Sequence, residues 1–196
     1  MKKTVRIFVP VLLCLLLLYG AAAPLVATGE RIADKVFRLH ILANSDGEED
    51  QEVKLMVRDA LLLQAAPLYA DCRSLSEAVA VTKAHLQELT DTAQAVLDDN
   101  GLAYTARAVI GKEYFDTRYY ENYTLPAGRY RCLKIILGKG EGHNWWCVMF
   151  PSVCLSACAD GFDGVLTKQE QAFIEDSDIT VKFKFLEWYE SHFGQE

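Results

Sequence analysis

The chain has 196 residues, 51% of them hydrophobic and 24% charged, with a formal net charge of −7. Its first 23 residues carry Lys2, Lys3 and Arg6 and no acidic group, so the remainder holds 17 basic against 27 acidic residues, a formal charge of −10. Such a chain can bury one core of ordinary size. It offers phosphate backbones no attraction and no basic cluster for a nucleic-acid groove, and anionic membrane surfaces repel it unless a protein partner holds it there.

In chain order, Ile7 to Leu18 is an apolar run interrupted only by Pro10, and Gly20-Ala-Ala-Ala23 follows. A basic start, an apolar stretch and small residues together make a secretory signal. Cleavage after Ala22 satisfies the small-residue rule, whereas cleavage after Ala23 would put Pro24 at the scissile bond. A retained anchor is the other reading, because no charge falls between Arg6 and Glu30 and that length can span a bilayer. Either way the expected organisation is a signal or anchor over residues 1–23 and one extracytoplasmic domain over 30–196. No direct lipid binding is expected beyond the N-terminal segment.

Val36 to Ala43 alternates as a strand, with Phe37, Leu39 and Ile41 on one face. Ser45-Asp-Gly-Glu48 has the spacing of a capping box and opens a helix carrying Val53, Val57, Ala60 and Gln64, which Pro67 ends. Ser74-Leu-Ser-Glu77 repeats the box and opens a long helix to about Asp98, stopped by Asn100-Gly101. Leu102 to Phe115, Arg129 to Leu137 and Asn144 to Phe150 read as strands, the last closed by Pro151. Between the final two, Gly138-Lys-Gly140-Glu-Gly142 is a turn that accepts positive φ. Thr167-Lys-Gln-Glu170 is a third box, and Ile179 to Phe193 becomes helical from Phe185. The order predicts a single α+β domain, with an antiparallel sheet of about four strands packed by helices.

The densest chemistry lies in Gly140 to Cys154, GEGHNWWCVMFPSVC. A buried indole needs a partner for its N–H, so adjacent tryptophans are seldom filler. Strand neighbours face opposite ways, which sends one of Trp145 and Trp146 into the core and the other to the outer face. Gly140, Gly142, Asn144, Trp145, Trp146, Cys147, Phe150, Pro151 and Cys154 resemble the signature of the stage II sporulation protein R family. Ala43-Asn44-Ser45-Asp46, Asp50-Gln51, Lys54 and Val57-Arg58-Asp59-Ala60 resemble that family's N-terminal motif, and together the blocks span roughly residues 35 to 154.

The resemblance implies a signalling protein exported from the forespore into the septal intermembrane space. Its implied partner is a membrane-embedded aspartic peptidase of the mother cell, which matures the sigma-E precursor. It implies no catalysis, no cofactor and no small-molecule substrate. The contact residues expected are Asn44, Ser45, Asp46, Gly140, Gly142, Asn144, Trp145 and Trp146, with Trp a favoured hot-spot residue.

An alternative from another class is a cysteine-dependent cell-wall hydrolase built on Cys147 and a histidine. On one strand, His143 and Cys147 would stand about 13 Å apart, so the base would have to be His40 or His85. For the cysteines, Cys147–Cys154 across the Phe-Pro turn is the pairing expected first, Cys132–Cys147 is its rival, and reduced buried thiols are the third reading. Cys154 and Cys158 lack the further ligands zinc needs. Asp46, Glu48, Glu49 and Asp50 lack the alternation of a calcium loop and suit a helix start. No Ser-His-Asp order or Gly-x-Ser-x-Gly elbow is present.

Overall fold

The computed structural model describes residues 20, 23–120, 122–151 and 159–175. Most of the expected signal, Cys154, Cys158 and the helix expected from Phe185 lie outside them. Helix α1 runs over 23–33. The remaining elements are β1 (Phe37–Leu42), α2 (Glu48–Leu68), α3 (Leu75–Ala84), α4 (Leu86–Asp99), β2 (Ala106–Phe115), β3 (Arg118–Tyr119), β4 (Thr124–Leu125), β5 (Gly128–Leu137), β6 (Asn144–Phe150) and α5 (Lys168–Glu175). Among the described residues no helix is long and apolar enough to cross a membrane.

The main sheet has the order β2-β5-β1-β6, and β3 and β4 form a separate two-stranded hairpin. The domain is α+β, as expected, but the sheet is mixed rather than antiparallel. β1 pairs parallel with β5, Phe37 opposite Arg131 and Leu42 opposite Ile136, while β6 runs antiparallel to β1 and β2 antiparallel to β5. The cause is insertion: β1, first in sequence, lies between two strands made much later.

Both faces of this sheet are covered, by different means. On one, Leu39, Ile41, Leu133, Ile135 and Met149 meet Val53, Val57 and Leu61 of α2 and Leu89, Ala93 and Leu97 of α4. Each of the Val, Leu, Ile and Met side chains contributes about 1.5–3 kcal/mol by leaving water. On the other, Phe115, Tyr130, Cys132 and Val148 lie against Ile32, Tyr123, Leu125, Phe162, Leu166 and Ile174. Arg38 and His40, which alternate with the apolar residues of β1, point into this second layer and are buried there.

Two local expectations change. The long helix after Ser74 is broken at His85, which ends α3 and precedes α4 with φ −104° and ψ 15°. The box at Ser45 does not form, since α2 is capped at Gly47 without a side-chain hydrogen bond. Of the later boxes, the one at Thr167 closes on both sides, while the one at Ser74 forms its cap but turns the Glu77 carboxylate to the preceding residue. Ser74 Oγ accepts from Glu77 N at 3.3 Å, and the Glu77 carboxylate takes Arg73 N. Thr167 and Glu170 satisfy each other's backbone N–H groups at 2.8 and 3.3 Å.

Candidate functional site: two motifs locked at one pole of the sheet

β1 ends at Leu42, opposite Asn144 at the start of β6, so the chain leaving β1 and the chain entering β6 share one pole. The backbone joins them first. Gly142 N donates to Ala43 O at 3.0 Å and Glu141 N to Asn44 O at 3.3 Å. Asn44 is then a bridge: its Nδ2 donates to Asp50 at 2.8 Å while its Oδ1 accepts from Lys139 N at 3.1 Å. Ser45, freed from capping, accepts from Gly47 N at 3.1 Å and donates to Asp50 at 2.5 Å. Lys54, buried in α2, reaches across to the His143 carbonyl at 3.0 Å and to Gln51 at 2.5 Å.

Two glycines make this lock sterically feasible. A Cβ on Gly142 would lie 2.1 Å from the Ser45 carbonyl oxygen. At Gly138 the φ is +56° and a Cβ would lie 2.2 Å from Asn44 Oδ1, so both conformation and space require glycine.

Charge sits at the centre and at the rim. Asp50 is 9% exposed and also accepts from the Tyr104 hydroxyl at 2.5 Å. Burial alone would raise its pKa, but hydrogen bonds from Ser45, Tyr104 and Asn44 outweigh that and hold it below the usual value of 3.8. Lys54 is pulled below its ordinary value by burial, with Asp46 opposing. At the rim, Asp46 accepts from His143 N at 2.6 Å and His143 Nδ1 at 2.5 Å. Those bonds from His143 lower the Asp46 pKa. Both side chains stay open to solvent, at 59% and 79%.

The tryptophans do face opposite sides, but neither stands on an outer face, because both faces of the sheet are covered. Trp145 is half-buried on the α2 side, with the Arg58 guanidinium 4.5 Å over its ring and its indole N–H buried without a hydrogen-bond partner among the described residues. Trp146 is half-buried on the other side. It stacks on His40 at 3.7 Å, meets Phe115 edge-on at 4.7 Å, and has Arg118 above it at 5.3 Å.

Beneath Trp146 lies a polar cluster that the sequence did not disclose. Arg38 is fully buried between the rings of Phe115 and Tyr130, at 4.3 and 5.0 Å. It donates to the Tyr120 hydroxyl at 2.8 Å, while its Nε and Nη1 have no hydrogen-bond partner among the described residues. His40 Nδ1 lies 2.7 Å from Glu113, whose other oxygen accepts from Lys134 at 2.6 Å. Burial would raise the Glu113 pKa, but the bonds from Lys134 and His40 bring it below 4.5. The usable signal was two long polar residues alternating through β1 beside Glu113 and Lys134, strand residues that could neutralise one another.

The unpaired guanidinium atoms make a testable point. Replacing a buried charge by an apolar side chain of similar length is often neutral or stabilising. Arg38→Met is therefore expected to change the unfolding free energy in urea by less than about 1 kcal/mol, whereas Arg38→Ala should lose about 3 kcal/mol or more to the cavity. A loss of that size in Arg38→Met would show that the cation–π contacts outweigh the desolvated N–H groups.

Cys147 is buried and disulfide-bonded, and Cys72 and Cys132 are free. The Cys132–Cys147 alternative is therefore excluded, while Cys154 lies outside the described residues. A disulfide-bonded Cys147 has no thiolate for the hydrolase alternative, and His143 is exposed at the turn. Burial, then Glu113, pushes the Cys132 thiol up to about 12, and burial also raises Cys72, so neither is a ready nucleophile. His85 is paired with Glu88 at 2.9 Å. No group of three potential metal ligands occurs among the described residues.

The two blocks and their lock fall within residues 33–160, which match the family model described as stage II sporulation protein R. The chain belongs to the stage II sporulation protein R family. Stage II sporulation protein R of Bacillus subtilis (strain 168) is 32% identical over 227 aligned residues, covering 99% of this chain and 100% of that protein. No solved structure matches the chain. For a stage II sporulation protein R family member, the residues expected to touch a partner divide into three sets. Asn44, Ser45, Gly140 and Gly142 build the lock from within; Asp46 and Asn144 are exposed on its rim; Trp145 and Trp146 are half-buried on the two sides of β6.

Proposed function

We propose that the chain acts in endospore formation as an exported signalling ligand without catalysis of its own. It binds an extracytoplasmic part of a membrane-embedded aspartic peptidase and raises that enzyme's activity, so that the mother-cell sigma-E precursor is matured. Export from the forespore into the septal intermembrane space belongs to this reading, through an N-terminal segment that is cleaved or retained. The observation carrying it is the end-to-end similarity to stage II sporulation protein R. The pole adds support: Asp46, His143 and Asn144 are exposed on a rim held rigid from beneath, with Trp145 and Arg58 alongside. A preorganised polar rim beside a tryptophan is a favourable partner surface.

The test is reconstitution in a non-sporulating host that expresses the full chain, the candidate peptidase and the sigma-E precursor. Processing should require the chain. Asn144→Ala, at an exposed side chain, should cut processing at least tenfold with an unchanged urea midpoint. No stimulation by folded, exported protein would overturn the reading, and full processing with Asn144→Ala would move the contact away from this rim.

A further inference from the structure

At the other end of β1, roughly 17 Å along the strand from the lock, a groove of about 550 Å³ opens between the end of α1, the start of α3 and β5. Its volume is within the range of built ligand sites. Lys35, Arg73 and Arg131 line it together with a single carboxylate, Asp34. Two of these four charges are already engaged. Lys35 donates to Glu170 at 2.7 Å, and Asp34 lies 4.0 Å from Lys112. Arg73 and Arg131 are exposed and pair with no carboxylate among the described residues. Between them Leu75, Val79 and Val165 make an apolar wall, with Ser74 and Ser76 beside it; the start of α3 adds no net positive charge, because Glu77 lies in its first turn.

We propose that this groove is a second binding site, taking an extended peptide segment of a partner protein in which carboxylate side chains alternate with apolar ones. Two forked guanidinium groups match carboxylates, and the apolar wall takes the intervening side chains. Nucleic acid fits less well, since its phosphates want a longer basic track. On a chain of net charge −7, the groove reverses the local sign, so an acidic partner repelled elsewhere is drawn here. The site is separate from the rim at the lock and does not depend on which protein that rim contacts.

The test uses the full chain in detergent and an array of hexapeptides with two Asp or Glu among apolar residues, matched by an array with Asn or Gln at those positions. Fluorescence anisotropy of the best acidic peptides should show binding that weakens at least tenfold in Arg73→Glu/Arg131→Glu. It should be unchanged in Lys83→Glu/Arg107→Glu, which alters net charge equally elsewhere. Arg73→Gln/Arg131→Gln repeats the test if charge reversal unfolds the chain by circular dichroism. Absence of any acidic preference, or equal binding by the groove variants, overturns the proposal. So does groove-dependent binding to phosphatidylglycerol vesicles in place of the peptides, which would make it a headgroup site.

Discussion

Gly142→Ala should abolish the lock and cost about 3 kcal/mol or more, the upper end of what overpacking costs. The added methyl would sit 2.1 Å from Ser45 O, 2.4 Å from Ser45 C and 3.0 Å from the Ala43 Cβ. The first two are backbone atoms, so no rotamer change relieves them. Backing away would break the bond from Gly142 N to Ala43 O and loosen the adjacent bond from Glu141 N to Asn44 O. Gly111→Ala in β2 is the control, because nothing lies within 4 Å of its Cβ position; its effect should stay within about 0.5 kcal/mol. Urea unfolding of both variants decides it. Equal midpoints for Gly142→Ala and the parent would mean that the two motifs are neighbours without being locked.

The second large effect belongs to Asp50. Asp50→Ala removes one acceptor and leaves three donors without it: Ser45 Oγ, Asn44 Nδ2 and Tyr104 Oη. Leaving buried donors unsatisfied costs about 1–3 kcal/mol each. Ser45 and Asn44 are only half-buried, so water recovers part of this and a total of about 2–4 kcal/mol is expected. The same residue sets a pH dependence. Its folded pKa is depressed, so its stabilisation is fully present above its ordinary value of 3.8 and is lost as pH falls through the folded value. Glu113 and Glu170, depressed from 4.5, act in the same direction. Stability of the parent should therefore drop steeply on acidification below about pH 4.5, and Asp50→Ala should show a shallower drop. Parallel pH curves for the two proteins would remove Asp50 from that role.

The fold was legible where local signals agreed. Asn144–Phe150 is a strand because an apolar run is bounded by a glycine turn and Pro151, and both bounds are as expected. The boxes at Ser74 and Thr167 mark real helix starts. The break at His85 was hidden because apolar residues continue at helical spacing across it. Ser45 does not cap α2 because its Oγ already accepts from Gly47 N, two residues on, and Gly47 itself is the cap residue. Parallel pairing of β1 with β5 is a property of topology, about which neighbouring residues carry no information. The burial of Arg38 and His40 was not visible in β1 itself, since most of the residues covering them come from 115 to 174, with Ile32, Ala33 and Val36. For the site, the two blocks were recognisable singly, but their mutual contact depends on a close approach of Gly142 to Ser45 that spacing cannot encode.

The sheet order also governs when structure can appear. A chain leaves the ribosome from its N-terminus, so Phe37–Leu42 emerges early and then waits. Its neighbours come from residues 131–136 and 144–150, after about two-thirds and about three-quarters of the polypeptide. Until then the apolar face of β1 has α2, α3 and α4 to collapse against but no strand beside it. Distant pairings of this kind slow folding. A chain stopped before Gly128 would thus present helices around an unzipped strand, and the tryptophan segment would complete the sheet, leaving its second face to be covered by Phe162, Leu166 and Ile174.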